Sequence, residues 1–237
     1  MPKVRAILFW IGFNLCTFLV MAILSISFIL PFRIRFIISK AWPFFNMWWL
    51  KVTCNLSYEV HGMDNIPNES VIFMSKHQST WETITYQLFL PPTAWVLKRE
   101  LLWIPVFGWG VAMLNPIAIN RKLGKAALNQ LLEQGKKYLD TGVSVMIFPE
   151  GTRTTAGEKT KYKAGGALLA VKTGKKIIPI AHNAGYYWPK QQLAKYPGTI
   201  KVSIGPPIFT EGKTASEVLM ETETWIETEM LKIGGRQ

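Results

Sequence analysis

Residues 71–82, "VIFMSKHQSTWE", change character twice in a short span. Residues 71–74 form an apolar run rich in β-branched and aromatic side chains, which suits a buried strand. Residues 75–78 are polar, and Ser79 with Glu82 three places on has the pattern of a helix start. Strand, polar loop and helix in this order make the unit from which parallel sheets are assembled. The chain repeats it. Strands are expected at "SYEV", "VIFM", "AWVL", "IAIN", "VSVMIF", "KIIPIA" and "KVSIG". Helices are expected near Ser79, at "GKAALNQLLEQGKKYLD", at "AGGALLAVKTG" and over residues 215–233, where Val218, Leu219, Trp225, Ile226 and Met230 recur among polar residues. The expected fold is α/β, with a central, largely parallel or mixed sheet flanked by helices.

Ahead of this pattern lies a different composition. The first 50 residues hold no acid, and their bases, Lys3, Arg5, Arg33, Arg35 and Lys40, bracket an apolar run of 27 uncharged residues from Ala6 to Phe32. At ~1.5 Å per residue such a helix reaches roughly 40 Å, more than a hydrocarbon core. The run is longer than a signal-peptide core and is followed by "LPFRIR", which offers no small-x-small cleavage site. Trp42, Trp48 and Trp49 come next, a residue type that favours the headgroup level. Residues 1–50 are therefore expected to be a membrane anchor or helical hairpin, and residues 51–237 the α/β domain.

The 237 residues carry 27 Lys and Arg against 15 Asp and Glu, a net charge of +12, which calls for an anionic partner. The bases flank an apolar segment and no nucleic-acid recognition motif is present, so anionic membrane lipid is the expected partner and nucleic acid is not. Cys16 and Cys54 provide neither a disulfide framework nor metal-ligand spacing.

In α/β sheets ligands gather at the carboxyl ends of strands. Three polar clusters sit there: "KHQSTWE" after "VIFMS", "NR" after "IAI", and "PEGTR" after "VSVMIF". For His77 and Glu82 two readings stand. In one, Ser79 and Glu82 form a capping box and His77 is incidental. In the other, His77 lies just outside the helix, the Glu82 carboxylate holds one ring nitrogen, and the second nitrogen takes a proton from a hydroxyl. In "MIFPEGTRT", Pro149 forces a turn, Gly151 frees the backbone, and Arg153 can fork onto phosphate, unless the arginine is merely solvated. His61, before a turn, and His182, after a strand, carry weaker claims, and Lys98 with Arg99 either meets phosphate or headgroups or forms a solvated basic face, the second being the simpler reading.

The ordered set "SKHQSTWET", the Arg121 block in "WVLKRELLWIPVFGWGVAMLNPIAINR", "FPEGTR" and "KIIPIAHNAG" resembles the 1-acylglycerol-3-phosphate acyltransferases, and more widely the glycerolipid acyltransferases. The resemblance covers roughly residues 52–205, supported by "HGMDNIP" ahead of it. It implies transfer of a fatty acyl group from acyl-CoA or acyl-carrier protein to the sn-2 hydroxyl of lysophosphatidic acid, with no further cofactor. His77 matches the family's general base and Glu82 its acidic partner. Arg121, Glu150, Gly151, Thr152 and Arg153 match residues associated with the acceptor's glycerol phosphate, and Pro179 lies in the block that shapes the pocket. The acid is more often aspartate in this family, so Glu82 carries an extra methylene and leaves the acceptor open, lipid A precursors included. A non-enzymatic lipid-binding module is the alternative outside enzymes. Donor supply in the resembled family implies a catalytic domain on the cytoplasmic side of a bacterial inner membrane.

Overall fold

A computed structural model describes the backbone of residues 2–236 and the side chains of residues 4–236. Lys3, one of the flanking bases, falls outside the described side chains. The apolar run forms α1 (Pro2–Ile26), followed by α2 (Phe32–Ser39) and α3 (Ala41–Cys54). Extended backbone at Pro31 separates α1 from α2. Asn55 ends α3 in the left-handed conformation, returning its N–H to the Lys51 carbonyl.

All seven expected strands are present. In chain order come β1 (Leu56–His61), β2 (Ile72–Ser75), α4 (Trp81–Phe89), β3 (Thr93–Lys98), α5 (Phe107–Ala112), β4 (Ile117–Ile119), α6 (Lys125–Asp140) and β5 (Ser144–Ile147). Then follow α7 (Gly165–Thr173), β6 (Ile177–His182), α8 (Ala184–Tyr187), β7 (Gly198–Ile204) and α9 (Ala215–Ile233). They form one sheet in the order β1-β7-β6-β2-β5-β3-β4. Every pairing is parallel except β6 with β7. The sheet is mixed, and β2, β5, β3 and β4 end on one edge. The loops carrying His77, residues 149–153 and Arg121 leave from that edge.

Alternation along the strands divides the core. Phe73, Met146 and Ile178 face α1, α3 and α4, while Ile72, Met74, Val145, Ile147 and Ile177 face α6, α7 and α9. On α1, Phe9, Phe13, Met21 and Leu24 are buried in the same cluster as Phe73 and Trp81. Each such side chain contributes roughly 1.5–3 kcal/mol on burial, so four of them hold α1 firmly to the sheet domain. The approach to α5 is close: a Cβ on Gly110 would lie 2.8 Å from the Met21 carbonyl oxygen, which only glycine tolerates. α3 runs through residue 50, so the chain continues from the apolar segment into the domain within one helix.

The opposite face of α1 is apolar too. Ile7, Ile11, Leu15, Phe18 and Ile26 are exposed, and Ile37, Phe44, Trp48, Trp103 and Trp109 extend this surface across α2, α3 and the segment around α5. Among the described helices, α1 with the turn after it is the one long and apolar enough to cross a membrane, over Val4–Ile29.

Candidate active site

His77 sits in the loop between β2 and α4, outside the helix. Its Nδ1 lies 2.9 Å from Glu82 Oε1. The same oxygen accepts from the N–H groups of Gln78 (2.9 Å) and Ser79 (2.8 Å). Glu82 is thus a helix-start acceptor and the partner of His77 at once, and the two readings of the sequence merge. Only the carboxylate half of the capping box forms. Ser79 Oγ accepts instead from the Trp81 N–H at 3.1 Å and donates to the Trp188 carbonyl at 2.7 Å.

Glu82 has no solvent exposure. Burial works against its charge, but the His77 hydrogen bond and the Ser79 N–H favour the carboxylate, and its pKa is held below the usual range. An ionised Glu82 accepts only, so His77 Nδ1 carries the proton, and in the neutral ring the lone pair is on Nε2. The ring is held flat against Phe148, with centroids 4.1 Å apart. His182, buried behind it, is also fixed: Nε2 donates to the Lys76 carbonyl (2.9 Å) and Nδ1 accepts from the Ala184 N–H (3.2 Å). Burial lowers its pKa, in keeping with this neutral tautomer.

The turn after β5 follows its chemistry. The Gly151 N–H bonds the Phe148 carbonyl at 3.0 Å, and Gly151 adopts φ +72°. Thr154 N–H then reaches the His77 carbonyl at 2.8 Å, tying this turn to the His77 loop. Arg121 donates to the Gly151 carbonyl, and Arg153 donates to Thr80 Oγ1 at 2.6 Å. Both guanidinium groups and Thr152 line the same cleft as His77. Glu150 does not. It is 5% exposed and turned inward, with Oε1 3.3 Å from both Lys76 Nζ and the His77 N–H. Burial raises its pKa to about 7 against the pull of Lys76.

The cleft has a volume of about 420 Å³. Its polar lining includes His77, Thr80, Lys98, Arg121, Thr152 and Arg153, and its apolar lining Met21, Phe32, Phe36, Trp42, Phe107 and Val111. The cationic groups suit phosphate, the apolar side chains suit a hydrocarbon chain, and the His77 imidazole shares the cleft with both.

Residues 57–183 match the family model described as Acyltransferase. Over 236 residues the chain is 46% identical to the 1-acyl-sn-glycerol-3-phosphate acyltransferase of Pseudomonas aeruginosa, covering 97% of this chain and 91% of that protein. The chain belongs to the 1-acylglycerol-3-phosphate acyltransferase family. It is also 32% identical over 172 residues to the mouse 1-acyl-sn-glycerol-3-phosphate acyltransferase alpha, covering 71% of this chain and 60% of that one. Its fold matches the crystal structure of the 1-acyl-sn-glycerophosphate acyltransferase PlsC of Thermotoga maritima. There the TM-score is 0.82 at 24% identity, over 100% of this chain and 99% of that one.

Three of the family motifs thus meet at one cleft, apart from the inward Glu150 and the backbone-shaping Gly151; "KIIPIAHNAG" does not line it, and Pro179 sits instead within β6, paired with Met74 of β2. Sequence reasoning passed over Lys76, Thr80 and the apolar wall from α1 to α3. Lys76 left one clue, a charge at the mouth of an apolar strand. The wall residues left none, because every residue around them is apolar as well.

Proposed function

We infer that this chain transfers a fatty acyl group from a thioester to the sn-2 hydroxyl of lysophosphatidic acid, releasing phosphatidic acid and the donor thiol. The observation that carries this reading is a single cleft lined by His77, with Glu82 behind Nδ1, by two arginines and by a set of apolar side chains. His77 Nε2 takes the hydroxyl proton as the oxygen attacks the thioester carbonyl. Glu82 stays ionised and stabilises the imidazolium. Collapse of the tetrahedral intermediate breaks the C–S bond, and the imidazolium returns the proton to the leaving thiolate. No acyl-enzyme is needed, and Cys54 is buried under α1, away from the cleft.

Acyl-CoA and acyl-carrier protein both supply such a thioester and are the proposed donors; no further cofactor is invoked. Arg121 and Arg153 receive the acceptor's phosphate. A charge-assisted hydrogen bond of ~1.5–3 kcal/mol corresponds to roughly 10- to 100-fold in affinity. Arg153→Ala is therefore expected to raise the KM for lysophosphatidic acid by about that factor with kcat little changed. Equal use of a phosphate-free lysolipid by the wild-type protein would sink the headgroup assignment.

The protein is membrane-associated. We propose that it lies in the cytoplasmic leaflet of a bacterial inner membrane, where both donors are available. α1 is packed on the domain from Ala6 to Leu24, so a perpendicular crossing would drag α5 and the cleft into the hydrocarbon. A tilted, single-leaflet seat buries the exposed apolar row and leaves Arg5 and Arg33 at anionic headgroups. Glutamate at both Ile11 and Phe18 is expected to move most of the protein from sedimented anionic vesicles to the supernatant without unfolding it. Unchanged sedimentation would refute this seat.

A further inference from the structure

Beneath the His77 loop lies a buried charged network that the proposed chemistry does not use. Lys76 is 1% exposed, with Nζ 2.7 Å from Glu227 Oε1 on α9 and 3.3 Å from Glu150 Oε1. The Tyr162 hydroxyl donates to the same Glu227 oxygen at 2.9 Å. Glu150 Oε1 in turn accepts from the His77 N–H. The Lys76 main chain is also held: its N–H bonds the Ile180 carbonyl at 3.0 Å, and its carbonyl accepts from His182 and from Ser75 Oγ, each at 2.9 Å.

Buried ion pairs seldom stabilise a fold more than apolar side chains of equal volume would, so stability is a poor account of this cluster. Its geometry has another reading. One carboxylate oxygen joins the ammonium of Lys76 to the peptide of His77, and Glu227 sets where that ammonium sits. We propose that Lys76 and Glu227 are positioning residues: they hold Glu150 against the His77 peptide, fix the imidazole in the cleft, and make α9 a working part of the active site. This rests on His77 being the base, and displacement of a base by ~1 Å can cost about 10²-fold in rate.

Stability and turnover separate the proposal from a purely structural role. With full-length protein in detergent, Lys76→Met should lower kcat about 10- to 100-fold, leave both KM values within about twofold, and lower the melting temperature, because it strands two carboxylates. Lys76→Met combined with Glu227→Gln strands no lysine and keeps an acceptor for Tyr162. It should regain melting temperature while kcat stays at least about tenfold down. Recovery of kcat to within about twofold in the double variant overturns the proposal. Tyr162→Phe removes one hydroxyl without changing charge, so it tests the same point where the other variants fail to fold. A severalfold fall in kcat at constant KM supports the proposal, and an unchanged kcat refutes it. His77→Ala run alongside keeps the two ideas apart. Turnover surviving there removes the base and this inference together, whereas turnover lost there but kept in the double variant removes only this inference.

Discussion

Alanine at His77 should lower kcat by about 10²–10⁴-fold, a loss of roughly 3–5 kcal/mol in transition-state stabilisation. The KM values should move little, because in the proposed mechanism the imidazole meets only the reacting hydroxyl, while Arg121, Arg153 and the apolar side chains of the cleft are assigned to the ends of the substrate. The fold should survive. The ring stacks on Phe148 and bonds Glu82, but Glu82 Oε1 keeps its two backbone donors after the ring is gone. Phosphatidic acid formation from labelled acyl-CoA, measured beside thermal unfolding, checks both halves. Near-normal turnover in folded protein would remove His77 as the base.

Two substitutions at Glu82 should separate its two tasks. In Glu82→Gln the amide oxygen can take the place of Oε1 and accept from Gln78, Ser79 and His77, so most of the local geometry persists. The negative charge does not persist, and the imidazolium formed during transfer loses its counter-ion. A fall in kcat of about 10²-fold or more at modest cost in stability is the expected result. Glu82→Ala instead leaves two buried N–H groups without an acceptor, at ~1–3 kcal/mol each, and should melt several degrees lower. Acid titration gives an independent check. The folded-state pKa of Glu82 lies below that of the unfolded chain. Its charge therefore stabilises the fold above the ordinary carboxylate range, and that contribution is lost as pH falls toward the folded value. Glu82→Gln should lack this part of the acid sensitivity. If Gln and Ala behave alike in both rate and stability, the separation of tasks is wrong.

How well each element could be read from the sequence follows from local physics. β-branched runs bounded by polar residues marked every strand. The span expected for α9 from its recurring apolar residues matches the helix, whose start the structure closes with a complete Thr214–Glu217 capping box and whose end is followed by Gly234. α5 escaped notice: it has six residues, two of them glycine, and begins after Val106 at a φ of +64°, which no propensity anticipates. α1 was legible as a helix but not as to what it touches, since a stripe packed on protein and a stripe facing lipid are both apolar. The His77–Glu82 spacing fitted two motifs, and folding satisfies both with one oxygen. Glu150 shares a motif with Arg153, yet the turn at Pro149 and Gly151 sends its carboxylate inward. Adjacency along the chain therefore says little about which side of a loop a side chain occupies.

Met21, Phe32, Phe36 and Trp42 belong to the apolar segment that we propose seats the protein on the bilayer, and they also line the cleft. Attachment and selectivity are therefore inherited together. A drift in this segment that suits a thicker or more fluid membrane reshapes the space left for the fatty chain. A change selected for a different chain alters, in turn, how the protein sits on its lipid.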